Sequence, residues 1–217
     1  MLKADLHVHT SYSFDCTTSL DDVIASCLKH GITCVAIADH ATAEGGLRMK
    51  RKAPFPVIVA EEVLTPSGEI MGMFLKETIP SPNSVNETIA RIRDQGGLVC
   101  IPHPFDRLRP SAFRRNDLLS IIDNIDVIEV FNARSLMPGA SAQSRRLAQA
   151  YGKPVSAGSD AHTPQEIGNA YVEMSDFTGP GDFLKSLASG RIVGRKAGLI
   201  VHLASTAAKF TGHFAKR

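Results

Sequence analysis

Leu2-Lys3-Ala4-Asp5-Leu6-His7-Val8-His9-Thr10 opens the chain, and Cys34-Val35-Ala36-Ile37-Ala38-Asp39-His40 follows after an intervening segment bounded by Ser19 and Gly31. Both apolar runs read as strands that give way to polar, histidine-bearing ends. The segment between them reads as a helix. Ser19 is an N-cap before Leu20-Asp21-Asp22-Val23, apolar residues recur at Val23, Ile24, Cys27 and Leu28, and Gly31 is a C-terminal stop. Strand, capped helix and strand in succession point to an α/β fold.

The same alternation runs outward along the chain. Further β-like runs are Pro56–Ala60, Ile70–Leu75, Leu98–Ile101, Val127–Phe131, Val155–Ala157 and Ala170–Met174. Helical stretches lie between them. Ser84-Val85-Asn86-Glu87 has the form of a capping box and continues through Ile89 and Ile92 to Gly96-Gly97, while Ser141 to Tyr151 and Asp182 to Ala188 end at Gly152 and Gly190. Short strands with intervening helices predict a closed or slightly irregular TIM-like β/α barrel rather than a sandwich, with Ile70–Leu75 open to pairing as an antiparallel hairpin with its predecessor. At 217 residues and 43% hydrophobic content the chain is expected to bury one core. We expect a single barrel over 1–195 and an amphipathic helical extension over 196–217, whose apolar positions include Leu199, Leu203, Phe210 and Phe214.

Composition narrows the function classes. Lys plus Arg number 24 against 22 acidic residues, a net charge of +2, too balanced for general nucleic-acid or membrane-surface binding. An acid and histidines stand where a signal peptide needs an apolar core, and no apolar run is long enough to span a membrane, so a cytoplasmic protein without a membrane partner or an obligatory protein partner is expected. The cysteines Cys16, Cys27, Cys34 and Cys100 form no Cys-x-x-Cys pair, which argues for buried thiols over a zinc knuckle or disulfide scaffold.

The chemistry concentrates in the histidines. Five of the eight, His7, His9, His40, His103 and His162, stand at or just beyond the carboxyl ends of predicted strands, where a β/α barrel assembles its active site. His7 and His9 are two apart, so an extended backbone turns both to one face with Asp5, leaving Leu6 and Val8 on the other; Asp5 is then placed to orient a histidine. Asp39-His40, Glu61-Glu62, Pro102-His103-Pro104 and Ser159-Asp160-Ala161-His162 end further runs. Imidazole and carboxylate without thiolate suit Zn, Mn or Fe ions. His30, in a helix's last turn, reads as a dipole complement, and His202 and His213 as surface groups.

These motifs together resemble the polymerase and histidinol phosphatase (PHP) family: Asp5 to Thr10 resembles its first motif, Asp39-His40 its second, and Pro102-His103-Pro104 and Ser159 to His162 its third and fourth. The resemblance runs from Met1 to about Arg195. It implies a distorted (β/α)7 barrel holding a cluster of two or three divalent ions (Mn, Zn or Fe) and a phosphoesterase activity, with a metal-bound hydroxide attacking phosphorus. By position, His7, His9, Glu62 and Asp160 would surround the first ion, Glu62 and His103 the second, and Asp15, His40 and His162 the third. The assignment of Asp15 comes from the resemblance alone, and Glu62 is chosen over Glu61 because the family's Glu is followed by a β-like stretch and then Gly-Glu, here Gly68-Glu69. Many members carry a histidine shortly after that Gly-Glu; this chain has Met71, so the second ion would be absent, weakly held, or completed by Glu61, Glu69 or water.

Positive charge follows two of the motifs, in Arg48-Met49-Lys50-Arg51-Lys52 and in Arg107, Arg109, Arg114 and Arg115. Arg107, Arg109 and Arg134 are the candidates to hold a phosphoryl group, Arg134 first because it follows a strand directly. His103 and Arg134 are the candidate catalytic groups. The expected substrate is a small phosphorylated compound, including a nucleotide or short oligonucleotide. The competing readings are a metal-dependent amidohydrolase-like enzyme and a non-catalytic scaffold such as a ribonucleoprotein subunit.

Overall fold

The computed structural model describes residues 1–80 and 84–196. The amphipathic segment expected over Leu199–Phe214 lies outside these residues. Among the described residues the strands are β1 (Leu2–Val8), β2 (Cys34–His40), β3 (Val57–Thr65), β4 (Gly68–Met73), β5 (Leu98–Ile101), β6 (Val127–Asn132), β7 (Val155–Gly158), β8 (Ala170–Met174) and β9 (Arg191–Gly194). The α-helices are α1 (Leu20–His30), α2 (Glu44–Lys52), α3 (Val85–Asp94), α4 (Arg115–Ser120), α5 (Ala140–Ala150) and α6 (Pro180–Ala188). None of them is long and apolar enough to cross a membrane.

One sheet runs in the order β7-β6-β5-β4-β3-β2-β1-β8-β9. It nearly closes on itself, because the residues after β7 meet the end of β1: Val8 bridges Ala161 in parallel, the Asp160 N–H donates to the His7 carbonyl (2.7 Å), and the His9 N–H to the Ala161 carbonyl (2.9 Å). The barrel expected from sequence is therefore present. Its distortion lies in β4, antiparallel to both β3 and β5, and in β8 and β9, an antiparallel ribbon on β1. Since β1, β2, β3, β5, β6 and β7 point the same way, their carboxyl ends form one rim.

The interior is narrow and filled by small side chains, Ala4, Cys34, Ala36, Ala38, Ala60, Cys100 and Ala157, with Leu6, Ile58, Met71, Met73 and Val127. Its floor is closed by α6, whose Phe183 and Leu187 are buried, and Phe74, Phe177 and Phe183 meet there edge to face with centroids 5.2–6.0 Å apart. Helix ends follow the sequence signals. The Ser19 hydroxyl accepts from the Asp22 N–H, Gly31 caps α1 at φ 68°, and Ser84 and Glu87 form the capping box of α3.

Three elements were not legible in the sequence. Helices α2 and α4 read as basic loops because Gly45-Gly46 and the arginine run hide their periodicity, and β9 is a short, half-exposed edge strand between polar ends. Gly45 is required where it stands: a Cβ there would lie 1.9 Å from Asp39 Oδ2. The outer faces bury Val23, Cys27, Val35, Ile37 and Met49 under α1 and α2, and a larger layer around Val63, Ile70, Ile92, Val99, Ile101, Leu118 and Ile128 under α3 to α5.

Candidate metal centre

The register of β1 shifts between Asp5 and Val8. Leu6 packs inside the barrel while Val8 packs outside with Val23 and Ile37, so the two do not share a face as strict alternation predicts. The bulge corrects the expectation for Asp5 as well. Its carboxylate turns away from the imidazoles and accepts from the Ser159 N–H (2.9 Å) and the Gly168 N–H (2.9 Å), and burial pushes its pKa up to about 6 against those bonds. His7 and His9 do converge, with their Nε2 atoms 3.1 Å apart. Bulges are a means of aiming side chains beside a site, and this one places both histidines under the rim.

The other strand ends bring their residues to the same place. Glu62, at 1% exposure, has Oε1 3.1 Å from His103 Nε2 and 3.3 Å from His7 Nε2, while Oε2 lies 3.4 Å from His9 Nε2 and 3.5 Å from His40 Nδ1. Asp160 Oδ1 lies 3.3 Å from His9 Nε2 and 3.6 Å from His162 Nδ1. Asp15 Oδ2 lies 3.2 Å from His162 Nε2 and 3.7 Å from His40 Nε2. Glu61, by contrast, faces away and accepts from the Ile79 N–H (2.9 Å). All eight residues expected as ligands thus converge at one rim.

The atomic spacing fits bound cations. Ligands about 2.0–2.2 Å from one ion sit roughly 3.0–3.6 Å from each other, the range in which most of these nitrogens and oxygens lie. Among the described residues, three groupings bring ligand atoms within 4.8 Å of one another: His9, Asp15, His40 and His162; His7, His9 and Glu62; and His40, Glu62 and Glu69. Asp160 Oδ1 is buried with no hydrogen-bond donor, a costly state for a carboxylate oxygen that a cation would relieve.

Protonation favours the same reading. Burial alone would raise the Glu62 and Asp160 carboxyls, but His7 and the other imidazoles around Glu62, and Arg109 with His7 at Asp160, hold both well below the ordinary range. Asp15 is likewise lowered by His162 and His40 against its burial. Burial, and for His9 the neighbouring His162, lowers His9 and His40, keeping imidazole lone pairs available. His7 is the exception: Glu62, Glu129 and Asp160 around it raise it despite burial, so a cation at its Nε2 would have to displace a proton. No thiolate competes: Cys16 donates its S–H to the His162 carbonyl, and burial pushes its thiol up to about 11.

Two positioning residues went unread in the sequence. Glu129 Oε1 lies 3.0 Å from His7 Nδ1, and Oε2 accepts from the His103 N–H (2.6 Å) and from Asn132 Nδ2 (3.0 Å). Asn132 Nδ2 also reaches Asp160 Oδ2 (3.1 Å). Glu129 therefore does what Asp5 was expected to do, presenting Nε2 of His7 to the cluster. A signal existed: a lone acid inside the apolar run Val127-Ile128-Glu129-Val130.

The arginines divide. Arg109 Nη2 pairs with Asp160 Oδ2, and its Nε is 3.4 Å from Asp106 Oδ2. Arg107 is exposed, and together with Arg109, Arg114, Phe105, Pro110, Ala112 and Phe113 it lines a cavity of about 410 Å³. Arg134 is mostly buried, its Nε 3.6 Å from Glu166 Oε1, behind the loop that carries His162. The Arg48–Lys52 stretch forms the end of α2, where Arg48 pairs with Glu44 and Lys52 with Asp21.

Comparison with known proteins agrees with this architecture. The PHP domain model matches residues 5–72 and the PHP-associated model residues 138–192. The chain belongs to the PHP family. An uncharacterized protein of Methanocaldococcus jannaschii is 35% identical over 179 residues, covering 81% of this chain and 71% of that protein. A two-domain protein of Bacteroides vulgatus containing a predicted PHP-like metal-dependent phosphoesterase superposes with a TM-score of 0.71 at 15% identity, over 97% of this chain and 69% of that one. An amidohydrolase of Chromobacterium violaceum, solved with bound sulfate and no metal, gives a TM-score of 0.63 at 16% identity over 94% and 96% of the two chains. At such identities the likeness is one of fold.

Proposed function

We propose that this chain is a metal-dependent phosphoesterase that hydrolyses a small phosphorylated compound, a nucleotide or short oligonucleotide included. The observation that carries this reading is the convergence of His7, His9, Asp15, His40, Glu62, His103, Asp160 and His162, all buried except the partly exposed His40, at metal-ligand spacing beside Arg109. His7, His9, Glu62 and Asp160 would hold one ion, Glu62 and His103 a second, and Asp15, His40 and His162 a third, with Mn, Zn and Fe suited to the donors. Bound ions of this kind lower the pKa of water toward about 7 and offset charge on phosphoryl oxygens.

The protein's own groups supply the rest. Glu129 holds the tautomer and orientation of His7, and Asn132 steadies Asp160. Arg109, already beside the cluster, is better placed than Arg134 to bind a phosphoryl oxygen, since Arg134 is engaged by Glu166. His103 directs Nε2 at Glu62, which favours a ligand role over leaving-group acid.

The test is ion content of protein purified without chelator, together with phosphate release from an aryl phosphate with added Mn²⁺ and with an amide substrate as control. Two or three ions and Mn²⁺-dependent phosphate release are expected. Fewer than one ion and no turnover with any divalent metal would sink the enzymatic reading in favour of a scaffold, and amide hydrolysis alone would favour the amidohydrolase.

A further inference from the structure

We infer that Glu69 is a ligand of the second ion and converts that position into an oxygen-rich site distinct in metal preference from its imidazole-rich neighbour. The inference rests on the metal-dependent reading above. Strand β4 runs antiparallel to β3, with Met71 opposite Glu62 and Glu69 opposite Leu64. Met71 and Glu69 are two apart and share a face of β4. At the level of Glu62, that face presents the Met71 thioether, which packs into the apolar interior with Met73 and Cys100. One pleat nearer the rim it presents the Glu69 carboxylate.

That carboxylate reaches the cluster. Glu69 Oε2 lies 3.4 Å from His103 Nε2 and Oε1 lies 3.6 Å from His40 Nδ1, and ligand atoms of His40, Glu62 and Glu69 fall within 4.8 Å of one another. The side chain is 8% exposed and Glu62 beside it is 1% exposed, so the two carboxyl groups share one enclosed pocket with the imidazoles. The backbone fixes it in place, because the Glu69 N–H donates to the Ser111 carbonyl (2.8 Å) and ties the start of β4 to the segment after Arg109. A cation held between Glu62, Glu69 and His103 would give both carboxyl groups and the imidazole, each already near the others, one shared partner.

The donor sets differ in kind. Glu62, Glu69 and His103 give two carboxylates and one imidazole, whereas His9, Asp15, His40 and His162 give three imidazoles and one carboxylate. Oxygen-rich donors suit Mn²⁺, and imidazole-rich donors suit Zn²⁺. A chain with this cluster would hold two unlike metals side by side.

The test uses chelator-stripped full-length protein, as wild type, E69Q and E69H, titrated with Mn²⁺ and separately with Zn²⁺ by calorimetry, with ions per chain measured after dialysis and circular dichroism to check folding. Wild type should bind Mn²⁺ at the second position. E69Q should lose one Mn²⁺ per chain or bind it at least tenfold more weakly, with the tightest Zn²⁺ unchanged. E69H should regain an ion at that position with preference moved toward Zn²⁺. Equal Mn²⁺ stoichiometry with affinities within twofold in wild type and E69Q would overturn the role of Glu69 while leaving the phosphoesterase reading intact; wild-type protein that binds no divalent ion would overturn both.

Discussion

At the floor of the barrel Phe74, Phe177 and Phe183 meet edge to face, while at the rim five histidines and four carboxylates, Glu69 included, crowd within a few ångströms of each other. The backbone differs in the same sense. Of the five non-glycine residues at positive φ among the described residues, Ala41 (57°), His103 (32°), Phe105 (65°) and Asp160 (55°) follow the rim ends of β2, β5 and β7, and Phe74 (61°) lies at the floor. Each such residue costs about 1–3 kcal/mol. The two ends share one interior, yet the floor supplies stability and the rim spends it on placing ligands.

That contrast can be broken experimentally. His9→Ala should reduce Mn²⁺-dependent phosphate release by at least about a hundredfold, of the size lost with one transition-state-stabilising group, while the melting temperature of metal-free protein stays level or rises, because one member of an uncompensated cluster is gone. A large loss of metal-free stability would mean that the rim is structural. Phe183→Ala should do the reverse, costing about 3–5 kcal/mol in urea unfolding and leaving ions per folded chain unchanged.

Gly158→Ala joins the two ends. An added Cβ would lie 2.2 Å from the His7 Cβ, so β7 must move off β1 at a cost of about 1–3 kcal/mol, and weaker metal binding should accompany the lower midpoint. Unchanged affinity would show that His7 tolerates the shift.

The smallest effect concerns Glu61, buried beside the cluster but facing away, where burial pushes its pKa up to about 7 against the Ile79 N–H bond. Between the usual 4.5 and about 7 the folded state holds a proton that the unfolded state has released, so its contribution to stability falls as pH rises through this window and is flat above it. Glu61→Gln should therefore gain on wild type by about 1–3 kcal/mol at pH 8 and by little at pH 4. Urea midpoints at the two pH values check the sign; an equal gain at both would show that Glu61 titrates normally.

Much of the candidate site was legible because strand ends can be read locally. His7, His9, His40, His103, Asp160 and His162 each terminate an apolar run, and all parallel strands of a closed barrel end on one rim. Glu69, Glu129 and Asn132 were harder, since Glu129 stands inside its strand and Glu69 begins an antiparallel one. Asp5 was misread because strict alternation placed it with His7, and the bulge in β1 put it on the opposite face.

The sequence by itself determined the alternation of strands and helices, the caps at Ser19, Ser84 and Gly31, and the set of residues able to bind metal. These follow from periodicity, backbone conformation and side-chain chemistry, all properties of neighbours in the chain. Only the tertiary structure decided that Glu129 orients His7, that Glu69 rises beside His103 where Met71 cannot serve, and that Arg109 rather than Arg134 lies against Asp160. Each depends on register and on which way a strand runs, and a single bulge or hairpin reverses the face that a residue presents.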